Sequence, residues 1–389
     1  MLKLHQYESM SPKVNRFLWI VDRIGFACTL ASRWRHRADR DHGHDVQKVL
    51  LIRCDGIGDL ICSIPAIRKV RDMYPSAEIS LMVGPWSADI ASMISQVDRV
   101  IIHSPWGYRT LRSVKTGGGF REDIANAVRM RSNTFDLAID LRSDLLSLLP
   151  LLSWKIPRRI GRATRGGGFA LTHVMPCAPK ETHEIERTLS VVPGENQSHY
   201  RQLPFLSSSR KAQSRCRQVL HEHDLDPERT VLFSPGAQWK WRRWPEEHYI
   251  TLASLLDQTG IQVAIVGSRS DQETARHICH GITGKSADLT GQLSLVELAA
   301  VFNASAGFVS SESGPALIAS AVEARGLVLF GPGSPQDFGP FCPTIGYIHH
   351  PCQTGPCYQR GTCQNPNNWC MGSITPQEVF EALKKKLNV

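Results

Sequence analysis

What the chain has little of narrows its chemistry first. Acid is the minority charge: 36 Asp and Glu stand against 45 Lys and Arg, a net of +9 over 389 residues. That balance suits anionic partners such as a nucleotide, nucleic acid or an acidic membrane surface. Yet no run of Lys and Arg interleaved with aromatics is long enough to make nucleic acid the main ligand. Nor is any stretch uniformly apolar enough to span a bilayer, because Asp22 and Arg23 interrupt the best candidate. A cleavable secretory signal is not found, and the eleven cysteines are scattered apart from four near the end. A reducing compartment is the expectation. The nicotinamide fingerprint is incomplete: Gly56 and Gly58 invite it, but position 61 is Ile, and Gly84 and Pro85 follow Val83 where an acid would hold the ribose. NAD is excluded on that ground. A phosphate loop ending in Lys-Ser/Thr is missing too. At 42% hydrophobic residues the chain can still bury two cores of ordinary domain size.

The stretch that organises the rest is Lys48 to Arg71, KVLLIRCDGIGDLICSIPAIRKVR. Val49 to Ile52 form an apolar run of the kind found in strands buried on both faces. A turn with two glycines follows, and Ile61, Ile64, Ile67 and Val70 then recur at helical spacing. Asp59 stands at the helix entrance, at the carboxyl end of a strand, where ligands of open parallel sheets bind. It is the first candidate for chemistry; the plainer reading is a helix cap. Short apolar strands are expected at Ile79–Val83, Arg99–Ile102 and Leu137–Ile139, with helices near Ala88–Ser95, Glu122–Arg131 and His183–Val192. The glycine-rich stretches Lys115–Phe120 and Arg162–Phe169 are expected to be mobile loops. Arg162 and Arg165 suit an anionic substrate on the acceptor side, together with Gly56 and Gly58.

Residues 1–46 read differently. On a helical wheel Phe17, Ile20, Val21, Ile24, Ala27, Cys28 and Ala31 share one face, and Asp22, Arg23, Thr29, Ser32 and Arg33 lie opposite. Between Ser11 and Arg37 there are six basic residues and one acid, a net of +5. Peripheral membrane contact through 11–37 and a helix packed on the protein body both fit.

The alternation restarts after the polar, proline-marked stretch Pro193–Leu206. Strands are expected at Val231–Ser234, Gln262–Val266, Gly307–Ser310 and Leu327–Phe330, with helices at 245–259 and Leu295–Asn303. Lys240, Arg242 and Arg243 lie among Trp239, Trp241 and Trp244 just past a strand, cations within aromatic walls that suit a diphosphate. Ser311 to Pro315, SESGP, sits between strand and helix, where helix-start amides attract phosphate. Asp271 opens a helix as a cap or a ribose contact. Two α/β layers of similar size outline a two-lobed nucleotide-sugar transferase. Cys352, Cys357, Cys363 and Cys370 could hold a structural zinc, although their spacing lacks paired C-x2-C knuckles.

IRCDGIGDLICSIPAIRKVRDMYP, GAQWKWRRWPEEHY, VGSRSDQE, ADLTGQLSLVELAAVFNAS, SSESGPALIASA and LFGPGSP, in that order, resemble glycosyltransferase family 9, the ADP-heptose:lipopolysaccharide heptosyltransferases. The resemblance runs from about Lys48 to the C-terminus. It implies an α/β GT-B fold, two Rossmann-like doubly wound lobes facing a central cleft, and an inverting transfer with no required cofactor or metal. The implied organisation is an N-terminal extension (1–46), an acceptor lobe (47–205), a donor lobe with the Cys-rich tail (206–373) and a terminal helix (374–389) packing back on the first lobe. By position Asp59 matches the catalytic base, Arg242 the basic residue at the donor phosphate, Asp271 an acid at the ribose, and Glu312, Ser313 and Gly314 the diphosphate-binding triplet; Lys240 and Arg243 flank them. Three departures stand out: Glu312 for the usual Asp, Arg242 for the usual Lys, and Leu317 where a histidine is common. The expected donor is ADP-heptose and the expected acceptor a lipid-linked anionic glycan at the cytoplasmic face of the inner membrane. Another nucleotide hexose, or a catalytically silent nucleotide-sugar-binding partner, is the alternative.

Overall fold

The computed structural model describes residues 12–38, 46–103, 134–142, 144–179, 182–352 and 369–387. The expected elements at Lys115–Phe120 and Glu122–Arg131, and Cys357 and Cys363, lie outside these residues. The chain divides into two compact units, Met1–Arg201 and Gln202–Val389.

In the first unit the strands are β1 (Lys48–Arg53), β2 (Glu78–Val83), β3 (Arg99–Ile102), β4 (Leu137–Asp140), β5 (Arg158–Gly161) and β6 (His173–Val174). All pair in parallel in the order β3-β2-β1-β4-β5-β6, so the strand order reverses between β1 and β4. Val49, Leu50 and Leu51 are wholly buried, since helices cover both faces of the central strand. The helices are α1 (Pro12–Ala38), α2 (Ile57–Cys62), α3 (Ile64–Met73), α4 (Ala88–Ala91), α5 (Leu145–Ser153) and α6 (Glu184–Leu189). The single helix expected after the glycine turn is two, broken at Ser63; Pro65, at the start of α3, has no N–H to continue the ladder. Ile64, Ile67 and Val70 are nonetheless fully buried, as their spacing implies.

Two expectations need correction here. The stretch Arg162–Phe169 is packed rather than a mobile loop: Gly166 and Gly167 hold left-handed φ of 78° and 85° and are buried between Leu18 of α1 and Leu145 and Leu148 of α5. Asp22, placed on the polar face of its helix, is buried to 3% exposure, where its Oδ1 accepts the Gly167 N–H at 2.7 Å. A buried amide needs an acceptor, and the adjacent helix supplies it.

The second unit repeats the scheme with β7 (Thr230–Ser234), β8 (Gln262–Ile265), β9 (Ser286–Asp288), β10 (Gly307–Ser311), β11 (Gly326–Phe330) and β12 (Ile345–His349). The order β12-β11-β10-β7-β8-β9 reverses between β7 and β10. Its helices are α7 (Arg210–Glu222), α8 (Glu246–Asp257), α9 (Gln272–Gly281), α10 (Leu295–Ala304), α11 (Gly314–Ala321), α12 (Pro335–Phe338), α13 (Trp369–Gly372) and α14 (Pro376–Leu387). A reciprocal cap starts α10: Ser294 Oγ accepts the Glu297 N–H, and Glu297 Oε2 accepts the Ser294 N–H. In α14, Val379, Phe380 and Leu383 join Val231, Leu252 and Leu327 in one core of this unit.

Candidate active site

In each unit the polar residues of interest collect at the carboxyl edge of the sheet, at the point where strand order reverses. In the first unit β1 delivers Arg53 there with its guanidinium at 2% exposure. Arg53 donates to Glu184 Oε1 at 2.6 Å and to the Leu141 carbonyl at 2.6 Å, and lies 3.0 Å from Asp55 Oδ1 and 3.5 Å from Asp59 Oδ1. Burial opposes the charge on Arg53, but Asp55, Glu184 and Asp59 outweigh it and raise its pKa. Asp55 is pushed up to about 6, first by burial; Arg53 and Arg142 pull it down while Asp59 pushes it further up. Three carboxylates thus share one enclosed cation, with Arg142 reaching Asp55 only at 3.9 Å.

Asp59 takes the cap role that the sequence offered. Its Oδ2 accepts the Gly56 N–H at 2.9 Å, which closes the first turn of α2. At 28% side-chain exposure it is also the most open of the three acids around Arg53. Gly56 serves as the N-cap of α2 and Gly58 lies in its first turn. Arg162 is buried at 6% and Arg165 is exposed, so of these two it is Arg165 whose charge reaches the surface of this unit.

In the second unit the chain leaving β7 makes a 3-10 turn at Lys240–Arg242, and the chain leaving β10 brings Glu312 beside it. Trp239 and Trp241 stack with centroids 5.4 Å apart, and the Arg242 guanidinium lies 4.8 Å over Trp239. Arg242 Nε is 3.7 Å from Glu312 Oε1 and makes no hydrogen bond among the described residues, although it is buried. Glu312 is pushed up to about 7 by burial, against the pull of Arg242 and the amides of Gly333 and Gly331. Its Oε1 accepts the Gly333 N–H at 2.9 Å, and a Cβ at Gly333 would lie 1.6 Å from Oε2. The glycine is what lets a longer acid than Asp fit.

Asp271 caps its own turn, accepting the Ser268 N–H at 2.9 Å and the Ser268 hydroxyl at 2.6 Å, and Arg243 approaches it at 3.7 Å. Arg243 also donates to the Ala237 carbonyl at 3.2 Å. Lys240 is exposed. Ser313 precedes α11 and Gly314 begins it; Pro315 in the first turn contributes no N–H, which limits the helix-start donors to few. Leu317 is buried at 6%. Trp244 is not an aromatic wall of the cation loop as expected: it is core, at 1% exposure, with its indole N–H bonded to the Ile374 carbonyl at 2.9 Å. Of the four tail cysteines, Cys370 is buried and Cys352 packs against the same core.

Reading along the chain missed Arg53, Asp55 and Glu184 as site residues. The alternation of Arg53 and Asp55 at the end of a buried strand was a usable signal. Glu184 had none, being 131 residues from its partner.

Comparison with known proteins agrees with this architecture. The family model described as Glycosyltransferase family 9 (heptosyltransferase) matches residues 125–367. Lipopolysaccharide heptosyltransferase 2 of Escherichia coli strain K12 is 26% identical over 359 residues, covering 87% of this chain and 98% of the relative. Lipooligosaccharide heptosyltransferase 2 of Haemophilus ducreyi is 25% identical over 355 residues, 87% of this chain and 99% of the relative. Among solved structures, E. coli ADP-heptose lps heptosyltransferase II superposes with a TM-score of 0.69 at 25% identity over 88% of this chain and 99% of the other. E. coli heptosyltransferase WaaC with ADP does so at 0.66, with 19% identity over 87% of this chain and 100% of the other. The paired parallel sheets are those of a GT-B fold.

Proposed function

Because the chain belongs to glycosyltransferase family 9 (heptosyltransferase), we propose that it transfers a sugar, heptose from ADP-heptose first among donors, onto a lipid-linked glycan of the lipopolysaccharide-core type, with inversion at the anomeric carbon. The observation that carries the donor half is Arg242, held over Trp239 at a strand-order reversal with a buried Nε that makes no hydrogen bond among the described residues and meets Glu312 only at 3.7 Å. A diphosphate oxygen would satisfy it, and phosphate is the anion to which guanidinium geometry is suited. The relatives' names supply the sugar and the acceptor class.

The steps need few parts. Asp59 takes the proton of an acceptor hydroxyl as that oxygen attacks the anomeric carbon from the face opposite the nucleotide. The new C–O bond forms as the bond to the diphosphate breaks, and its electron pair leaves with the nucleotide. Arg242, aided by Arg243, Lys240 and the amides at Ser313 and Gly314, meets that charge. Asp271 acts on the donor through the turn it closes and through Arg243. Gly56 and Gly58 give the acceptor access to Asp59, with Arg165 as a cation for anionic glycan on this unit's surface; buried Arg162 is better placed for support. No electrons change hands, so the reaction calls for no redox cofactor. A lipid-linked acceptor sets the reaction at the inner face of the inner membrane, which the net charge of +9 favours.

A second reading is favoured by Glu312 and Leu317: a nucleotide-sugar-binding partner without turnover. A panel of ADP-, UDP-, GDP- and CMP-sugars, offered with a lipopolysaccharide acceptor, separates the two. Transfer from ADP-heptose, lost in Asp59→Asn, supports the first. Binding with neither hydrolysis nor transfer for any donor supports the second, and transfer undiminished in Asp59→Asn removes Asp59 as the base.

A further inference from the structure

Helix α1 meets its own unit with an unexpected face. Leu18 and Asp22 are buried against Gly166 and Gly167, and Gly25 lies under the Phe169 ring, which a Cβ there would meet at 2.4 Å. Phe26 adds an edge contact to Phe169, with centroids 6.5 Å apart. A helix that merely packed on the body would bury its apolar stripe. Here Val21 packs against the core while the large side chains beside it face outward: Phe17 is 60% exposed, Ile20 46% and Ile24 60%, at i, i+3 and i+7.

The charges around that stripe have one sign. Asp22 is the only acid within Pro12–Ala38, and its carboxylate is turned inward to the Gly167 amide. Arg16 and Arg23 are exposed and, at helical spacing, border the stripe on its Ile20 side; Arg23 also lies 4.8 Å over the Trp19 ring. No helix among the described residues is long and apolar enough to cross a membrane, so burial of the stripe would be in a surface rather than through it.

We propose that α1 is a docking helix for an anionic phospholipid surface, lying in the plane of the interface with Phe17, Ile20 and Ile24 in the acyl boundary and Arg16 and Arg23 at the headgroups. A basic rim with apolar centre and no available acid is complementary to such a surface. A protein partner with an apolar groove or a second copy of this chain would not require every exposed charge to be positive. The inference stands on the exposure pattern of α1 and is independent of the donor, the acceptor and turnover.

The test is co-sedimentation of the full chain with vesicles of phosphatidylcholine alone or mixed with phosphatidylglycerol. The protein is expected to bind the mixed vesicles, more weakly at high salt, and the neutral ones at least about tenfold less. Ile20→Ser with Ile24→Ser should lower binding to mixed vesicles on the order of tenfold or more through lost apolar insertion. Both positions are solvent-facing, so the thermal midpoint and ADP affinity should stay as in the parent. Failure to bind phosphatidylglycerol vesicles overturns the proposal, as does binding that the double substitution leaves unchanged. A parent dimer that the substitutions convert to monomer also overturns it, since the stripe would then be an interface between copies.

Discussion

Arg53 is outnumbered by the carboxylates it holds, and that imbalance governs what single substitutions should do. Its removal would leave Asp55, Asp59 and Glu184 facing one another in an enclosed site. Arg53→Met is therefore expected to cost about 3–5 kcal/mol of stability by denaturant unfolding. A cost under about 1 kcal/mol would mean that the carboxylates find other cations. Glu312 carries a pH signature. An acid whose pKa is higher folded than unfolded stabilises the folded state fully below its unfolded value and loses that contribution as pH rises through the folded one. For Glu312 the window runs from 4.5 to about 7. Glu312→Gln should match the parent at low pH and exceed it above neutrality, by at most about 3 kcal/mol. Parallel stability curves for the two proteins from acid to alkaline pH would show that Glu312 ionises freely despite its burial.

At the scale of elements, two contacts decide how helices are used. The Asp22 carboxylate fastens α1 to the Gly166–Gly167 turn. Asp22→Ala would strand a buried amide at a cost of about 1–3 kcal/mol. Hydrogen exchange should then quicken at Gly167 and along α1 while the strands stay protected; unchanged exchange would mean that Leu18 and Phe26 suffice. Helix α14 spends its apolar side on the core of the second unit, with Leu383 fully buried. Leu383→Ala should destabilise that unit by about 2–5 kcal/mol. A substitution without thermal effect would contradict the core assignment.

For the whole molecule, the proposed assignment of the base to one unit and the donor contacts to the other would make two kinds of variant separable. Arg242→Ala is expected to weaken ADP binding by about 10- to 100-fold, the worth of a charge-assisted contact of about 1.5–3 kcal/mol. Asp59→Asn should leave ADP affinity within about twofold and lower kcat by about 10²- to 10⁴-fold. Calorimetric titration with ADP alongside single-turnover transfer distinguishes them. If both variants lost donor binding alike, the assignment of separate roles would fail.

Much of this was legible along the chain because it rests on local chemistry. Apolar runs such as Val49–Ile52 declare strands buried on both faces, and the alternation of strand and helix declares parallel sheets. A turn of two glycines singles out Asp59, and a cluster of cations and tryptophans singles out Arg242. What only the tertiary structure decided are the matters of partnership: that Arg53 is shared with Glu184 131 residues away, that Trp244 is core while Trp239 carries a guanidinium, and that α1 turns its one acid inward and Phe17, Ile20 and Ile24 outward. Periodicity tells which side chains share a face. Which face is buried depends on the surface that meets it, and residues remote in sequence build that surface.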